Sequence, residues 1–119
     1  MPPMRDVGTG EKVFDHPPVR GTLRVMETAA DVLDLLDLMD QGPKDVIVLV
    51  RDAGATFLAP LYHDLTGVIC TAGTLRSHIG IVTREFQVPC VMACELDRAL
   101  EDGTEVELDC SAERAVVRA

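Results

Sequence analysis

The residues of this chain best suited to chemistry lie between Gly73 and His78, where a small-residue loop runs into Ser77 and a single histidine. Imidazole, with an ordinary pKa of about 6.5, is largely neutral near pH 7 and keeps a lone pair free, so it can act as a nucleophile. Behind it Ile79, Val82 and Phe86 recur at helical spacing, Ile81 widens the apolar face, and Arg84 and Glu85 fall on the side that reaches water. Ser77 suits an N-cap. His78 then sits in the first turn of a helix, beside backbone N–H groups with no intrahelical partner and at the positive end of the helix dipole. Such a place favours an anion. A phosphoryl group on the imidazole would bring about two negative charges, which the helix terminus favours by roughly 0.3–1 kcal/mol, and by more where the site is partly buried.

The elements that must position this histidine are legible on either side. Val68, Ile69 and Cys70 form a short apolar run bounded by Gly67 and by Thr71, Ala72 and Gly73, which suits a buried strand ending in a turn. Pro89 closes the helix. Val91 and Met92 then resume an apolar run, with Cys90 and Ala93 able to share its burial, as the second strand of a parallel α/β unit.

This ordered set resembles the phosphohistidine swivelling domains of the phosphoenolpyruvate-utilising enzymes, of the pyruvate phosphate dikinase, phosphoenolpyruvate synthase and phosphotransferase-system enzyme I type. Their pattern runs Gly-Gly-x-Thr-Ser-His-Ala-Ala-Ile-Val-Ala-Arg, then an apolar residue, proline and a strand. Gly73, Ser77, His78, Ile81, Val82, Arg84, Val88, Pro89 and Val91 fall in register with it. The resemblance implies that His78 accepts a phosphoryl group at one active site and delivers it at another, with Gly73, Thr74, Arg76 and Ser77 holding the phosphate and Arg84 in support. Thr74 stands where the family has its second glycine, and Arg76 where it has a threonine that some dikinases phosphorylate for control. That control is therefore in doubt here. The Arg76 guanidinium offers instead a fork of donors matched to phosphoryl oxygens. Ser77 either bonds the phosphoryl group or caps the helix, and Arg84 is structural first, with a loop carboxylate or phosphate as its other partner. Ile79 and Gly80 replace a pair of small residues. Gly80 costs roughly 1 kcal/mol of helix propensity against alanine, which points to close approach of something to the helix.

The remaining segments supply the scaffold. Residues 1–18, with Pro2, Pro3, Gly8, Gly10, Pro17 and Pro18 and no periodicity, read as a loosely ordered arm, and 19–119 as the swivelling domain. Val19–Met26 alternates as a strand entered through Gly21. Thr28 caps a helix whose stripe is Val32, Leu35, Leu36 and Met39. Its other side carries Asp31, Asp34, Asp37 and Asp40, spread too far along the axis to converge on one cation, so they form a solvated face or a docking face for a basic partner. Gly42-Pro43 stops that helix. Asp45–Val50 is apolar without alternation, as a strand covered on both faces would be.

Arg51–Ala55 is the loop after that strand, on the same rim as Gly73 and His78, which makes Arg51 and Asp52 second-rank candidates beside the alternative of a weak surface ion pair. Thr56 opens a short helix through Phe57, Leu58, Leu61, Tyr62 and Leu65, on which His63 and Asp64 are exposed. In the resembled family this segment carries a Thr-Thr-Pro pattern and a second proline, of which only Pro60 corresponds well. Leu96–Leu100 reads as a helical turn, Asp102-Gly103 as a tight turn, and Thr104–Leu108 and Ala115–Arg118 as closing strands, similar to the family's last segment. The expected fold is α/β: a swivelling β/β/α domain with a mainly parallel central sheet, flanking helices and a C-terminal β-strand pair.

Composition narrows the function. At 119 residues and 47% hydrophobic the chain is long enough for one core and too short for two. A net charge of −9 argues against nucleic acid and against anionic membranes as partners, since both select clustered Lys and Arg. No apolar run is long enough to span a bilayer and the N-terminus has no signal-peptide centre, so the expected location is the cytoplasm. Cys70, Cys90, Cys94 and Cys110 show no CxxC spacing and read as buried thiols rather than a metal site or disulfides.

The chain has no P-loop and no acidic cluster suited to magnesium. The expectation is a stand-alone carrier, itself binding no cofactor, that works with ATP-grasp or phosphoenolpyruvate-binding subunits, and Mg2+ on those partners. Two alternatives stand beside it. One is a regulatory or scaffold module that keeps the fold and has lost the transfer chemistry; the other is a metal or redox module built on the cysteines with His63 or His78.

Overall fold

A computed structural model describes residues 4–40, 45–54 and 56–119. Seven strands close into a barrel: β1 (Asp6–Lys12), β2 (His16–Met26), β3 (Val46–Val50), β4 (Gly67–Cys70), β5 (Cys90–Leu96), β6 (Glu105–Cys110) and β7 (Ala115–Arg118). Around the barrel the order is β1-β5-β4-β3-β2-β6-β7, with β7 returning to β1. Strands β2, β3, β4 and β5 run parallel to one another, whereas β1 is antiparallel to β5 and β7, and β6 to β2 and β7.

This overturns the expected α/β architecture of a mainly parallel sheet with flanking helices. Four of the seven pairings are antiparallel, and the only α-helices among the described residues are α1 (Ala29–Met39) and α2 (His78–Phe86). The cause lies in the first 18 residues. Asp6–Lys12, expected as part of a loose arm, is a strand that stitches β5 to β7 and so closes the sheet. His16–Pro18 likewise belongs to β2. Gly8 and Gly10 read as loop signals in sequence, yet here they permit close strand packing. A Cβ on Gly8 would stand 2.6 Å from Leu96 Cδ2, and one on Gly10 2.6 Å from the Met92 carbonyl oxygen. The C-terminal strand pair is present as β6 and β7.

Closure explains the unbroken apolar run of β3. Ile47 and Leu49 point into the barrel with Leu23, Ile69, Val91 and Val117. Val46, Val48 and Val50 point outward, where they pack with Val68, Cys70, Met92 and the inner faces of α1 and α2. Each parallel strand is thus buried twice, once by the opposite barrel wall and once by the helices.

Helix α1 starts at a capping box. Thr28 Oγ1 accepts from the Asp31 amide while the Asp31 carboxylate accepts from the amides of Glu27 and Thr28. Those bonds hold the Asp31 carboxyl below its ordinary pKa, the Glu27 amide contributing most. Val32 and Leu35 are buried, and Asp34, Asp37 and Asp40 are exposed. The Gly42-Pro43 stop, Pro2, Pro3 and Ala55 lie outside the described residues.

Two expected helices give way to other structure. After Thr56 only a 3-10 turn forms, at Ala59–Leu61, held by i to i+3 bonds from Leu61 N to Leu58 O and from Asp64 N to Leu61 O. Pro60 has no amide to bond the Thr56 carbonyl, so an α-turn cannot start there. Leu58, Leu61, Tyr62 and Leu65 are buried all the same. At Leu96–Leu100 strand β5 continues to Leu96, and the Asp97 amide then bonds the Val7 carbonyl at 2.7 Å.

Candidate functional site

The carboxyl ends of neighbouring β3 and β4 place two loops side by side, Arg51–Gly54 and Thr71–Ser77, and α2 starts from the second. Gly73 is the pivot. Its φ of +77° lies in the left-handed region, and a Cβ there would meet Ala53 Cβ at 2.4 Å and Ser77 Oγ at 2.6 Å. From Thr74 to Ser77 the backbone closes on itself. The Ser77 amide donates to the Thr74 carbonyl at 3.0 Å, and the Thr74 amide donates to Ser77 Oγ at 2.9 Å. The Arg76 amide bonds Thr74 Oγ1 at 3.2 Å.

Ser77 is the N-cap of α2, with extended backbone, as its position in the sequence requires. Its side chain, however, makes no bond to the helix. It turns back to the loop, and its hydroxyl hydrogen remains available as a donor. His78 is the first helical residue and is exposed. The Ile79 amide, next along, donates to the Ala53 carbonyl at 3.0 Å, so the β3 loop consumes one of the helix's unpaired donors. Among the described residues the His78 amide has no hydrogen-bond partner. The imidazole therefore projects into water from a helix terminus that retains open N–H capacity and the positive dipole end.

The other candidates fall into place with different weights. Gly73, Thr74, Arg76 and Ser77 are brought together in the turn that precedes His78, and Arg76 is exposed and free of ion pairs among the described residues. Arg84 lies away from that turn and donates from Nη2 to the Val13 carbonyl at 2.9 Å, tying α2 to the connection between β1 and β2. This is its structural role. Arg51 reaches Glu27 at 3.8 Å as an exposed pair of little energetic weight. Asp52 Oδ1 accepts from the Gly54 amide and shapes its own turn. The loop that carries them does touch the site, but through the backbone oxygen and Cβ of Ala53. His63 and Asp64 are exposed, with the His63 ring edge-on to Phe86 at 4.6 Å.

Two further residues support the turn, the first of them with no sequence signal of its own. Ala93 adopts φ +51° inside β5, an uncommon conformation for a residue with a Cβ. It lets Val91 and Cys94, three apart, both face the barrel interior, and its amide bonds the Ala72 carbonyl at 3.2 Å, fastening the loop just before Gly73. Gly80 is the second. A Cβ there would stand 2.6 Å from the Leu75 carbonyl oxygen, so its absence lets the loop lie against the first turn of α2. The close approach expected at this glycine is thus present, and Leu75 is what approaches.

The four cysteines are free and buried. Desolvation lifts the thiols of Cys94 and Cys110 to about 11 and pushes those of Cys70 and Cys90 up as well, so all four stay protonated near neutrality. No helix among the described residues is long and apolar enough to cross a membrane.

The chain is 30% identical over 99 residues, 82% of its length, to chondramide synthase cmdD of Chondromyces crocatus, and it spans only 2% of that protein. The family model of the PEP-utilising enzyme, mobile domain, matches residues 42–113, which take in β3, β4, α2, β5 and β6 with the Gly73 loop and His78. The chain belongs to the family of PEP-utilising enzyme mobile domains.

Proposed function

We propose that the domain is a phosphoryl carrier whose carrying atom is an imidazole nitrogen of His78. The observation behind this reading is an exposed imidazole on the first residue of α2, directly after a turn closed by Thr74 and Ser77. The neutral ring attacks the phosphorus of ATP or phosphoenolpyruvate held on a partner. An N–P bond forms, the P–O bond to the leaving group breaks, and the ring gives up its N–H proton as the phosphoramidate settles. The open His78 amide, the Ser77 hydroxyl and the Arg76 guanidinium are the donors nearest in sequence that can receive the new charge. At a second active site a hydroxyl compound or pyruvate takes the phosphoryl group, the N–P bond breaks and His78 returns to neutral. The partners in this reading are ATP-grasp or phosphoenolpyruvate-binding subunits in the cytoplasm, and Mg2+ sits on them. The chain itself contributes the nucleophile and its anion-favouring terminus.

Intact-mass measurement after incubation with extract of the source organism, supplied with ATP or with phosphoenolpyruvate, tests the reading and names the donor. One acid-labile phosphoryl adduct, absent from His78→Ala, is the expected result. No adduct with either donor, in extract shown to contain the bound partner, would favour a scaffold module that keeps the fold without the chemistry.

A further inference from the structure

We propose that Cys70 is a positioning residue for the reaction at His78, its buried thiol fixing the direction of the Ala72 carbonyl and through it the Gly73 turn; the inference rests on the carrier reading above. Cys70 is the last residue of β4 and is buried. Its Sγ donates to the Ala72 carbonyl at 3.4 Å, and the Ala93 amide donates to the same oxygen at 3.2 Å. One carbonyl thus receives two hydrogen bonds, one from each of the neighbouring strands β4 and β5. Among the described residues Ala72 and Gly73 make no other hydrogen bond, so this stretch is tied to the barrel through that oxygen alone.

What the clamp controls follows from the freedom of glycine. Gly73 sits at φ +77°, and glycine adopts either sign of φ about equally well, so nothing in its own backbone restores that value. The Ala72–Gly73 peptide must be set by its neighbours. Gly73 lies in turn against Ala53 and against Ser77, whose Oγ accepts from the Thr74 amide, and His78 follows Ser77 directly. A rotation of that peptide therefore displaces the N-cap of α2 and the imidazole with it. Ala93 shows that the oxygen is held deliberately, since φ +51° is disfavoured for a residue with a Cβ and persists only where the surroundings over-determine it. The thiol supplies the second direction. An S–H···O bond is weak, so it orients the carbonyl more than it stabilises the fold. Burial raises the Cys70 pKa, which keeps the thiol protonated and able to donate near neutrality. The thiols of Cys90 and Cys110 are directed elsewhere, at Val91 and Met92 and at the Cys90 carbonyl.

Three variants separate the hydrogen bond from the packing. Cys70→Ser keeps a side-chain O–H that can donate. Cys70→Ala and Cys70→Val both lack one, and they bracket cysteine in volume, one smaller and one larger. The rate at which His78 gains a phosphoryl group is read by intact mass in extract supplied with ATP or phosphoenolpyruvate, and the urea midpoint of each chain is measured beside it. Cys70→Ala and Cys70→Val are each expected to slow the reaction by about tenfold, a share of the roughly hundredfold that a shift of about 1 Å can cost. Cys70→Ser should stay within about twofold of the unsubstituted chain, because the Ala72 carbonyl keeps its second bond. Rates are thus expected to sort by the hydrogen bond whatever the order of the midpoints, and either of the two variants without it suffices where the other fails to fold. Rates that instead follow the midpoints, with Cys70→Ser as slow as Cys70→Ala or Cys70→Val at equal stability, would show that Cys70 only packs and would overturn the inference. Full rate in all three variants overturns it as well and leaves the carrier reading standing. An unsubstituted chain that gains no phosphoryl group in extract containing its bound partner removes the carrier reading, and this inference with it.

Discussion

Replacing Gly80 by alanine sets two effects against each other. Alanine in a helix interior is favoured over glycine by about 1 kcal/mol, so Gly80→Ala in an otherwise open helix would stabilise. The structure reverses the sign. The new methyl would lie 2.6 Å from the Leu75 carbonyl oxygen, 3.1 Å from its carbon and 3.3 Å from its Cα. An ordinary C···O separation of about 3.3–3.6 Å means that the Leu75 backbone must retreat by about 0.7–1 Å. That backbone belongs to the turn fastened by Thr74 and Ser77, so it cannot swing aside as a side-chain tip would. Overpacking of this kind costs about 1–3 kcal/mol, and against backbone it falls in the upper part of that range. The net expectation is a loss of about 1–2 kcal/mol, read as a lowered urea midpoint with unchanged slope. The same displacement should slow phosphorylation of His78, since a shift of about 1 Å in a reacting group can cost on the order of a hundredfold. A Gly80→Ala chain that is more stable by about 1 kcal/mol and reacts at the full rate would refute the packing of the loop on α2.

Other consequences are as specific. Gly73→Ala combines left-handed backbone with contacts of 2.4 Å to Ala53 and 2.6 Å to Ser77, so thermal unfolding should show a loss of about 2–4 kcal/mol and the phosphorylated form should not accumulate. The buried thiols hold their protons in the folded chain to higher pH than in the unfolded one, so their contribution is fully present below the ordinary thiol pKa of about 8.5 and is lost as pH rises towards 11. Denaturant titrations from pH 8 to 11 should show this fall, and a thiol reagent at pH 7.5 should label the chain only once it is unfolded. Arg118 bonds Glu107 and Asp109 across β6 and β7. The Glu107 carboxyl is lowered chiefly by Arg118, and that of Asp109 first by Ser111 and then by Arg118. Their stabilisation is therefore present above the unfolded values of about 4 and lost as pH falls below them, and Arg118→Met should lower stability at pH 7 by about 1–2 kcal/mol and flatten the acid limb.

Local elements were more legible in the sequence than the way the sheet closes. A histidine at a helix start, behind a glycine loop and ahead of Val88-Pro89, is a local pattern written in adjacent residues, and α2 begins at His78. The capping of α1 by Thr28 and the double burial of β3 were legible for the same reason. Barrel closure was not. It depends on β1 meeting β5 and β7 about 80 and 110 residues away, and Gly8 and Gly10, which make the meeting possible, carry the same local signal as a loop. Within the site the misses share one physical cause. Ala53 acts through its carbonyl, Ala93 through a left-handed backbone, and Leu75 through its main chain against Gly80, so side-chain chemistry gave no reason to choose any of them. Arg51 and Asp52 lie in the loop that touches the Gly73 turn, but their side chains bond Glu27 and the Gly54 amide instead.

A pulse and chase of label through His78 tests the carrier reading most directly. The chain is charged in extract with donor bearing labelled phosphorus, isolated, and returned to extract containing unlabelled donor. Label is expected to leave the protein for a small acceptor within the period in which fresh phosphoryl groups arrive, and His78→Ala should never take label at all. Label that stays on the isolated chain through the chase, or that resides on any residue other than His78, would contradict it.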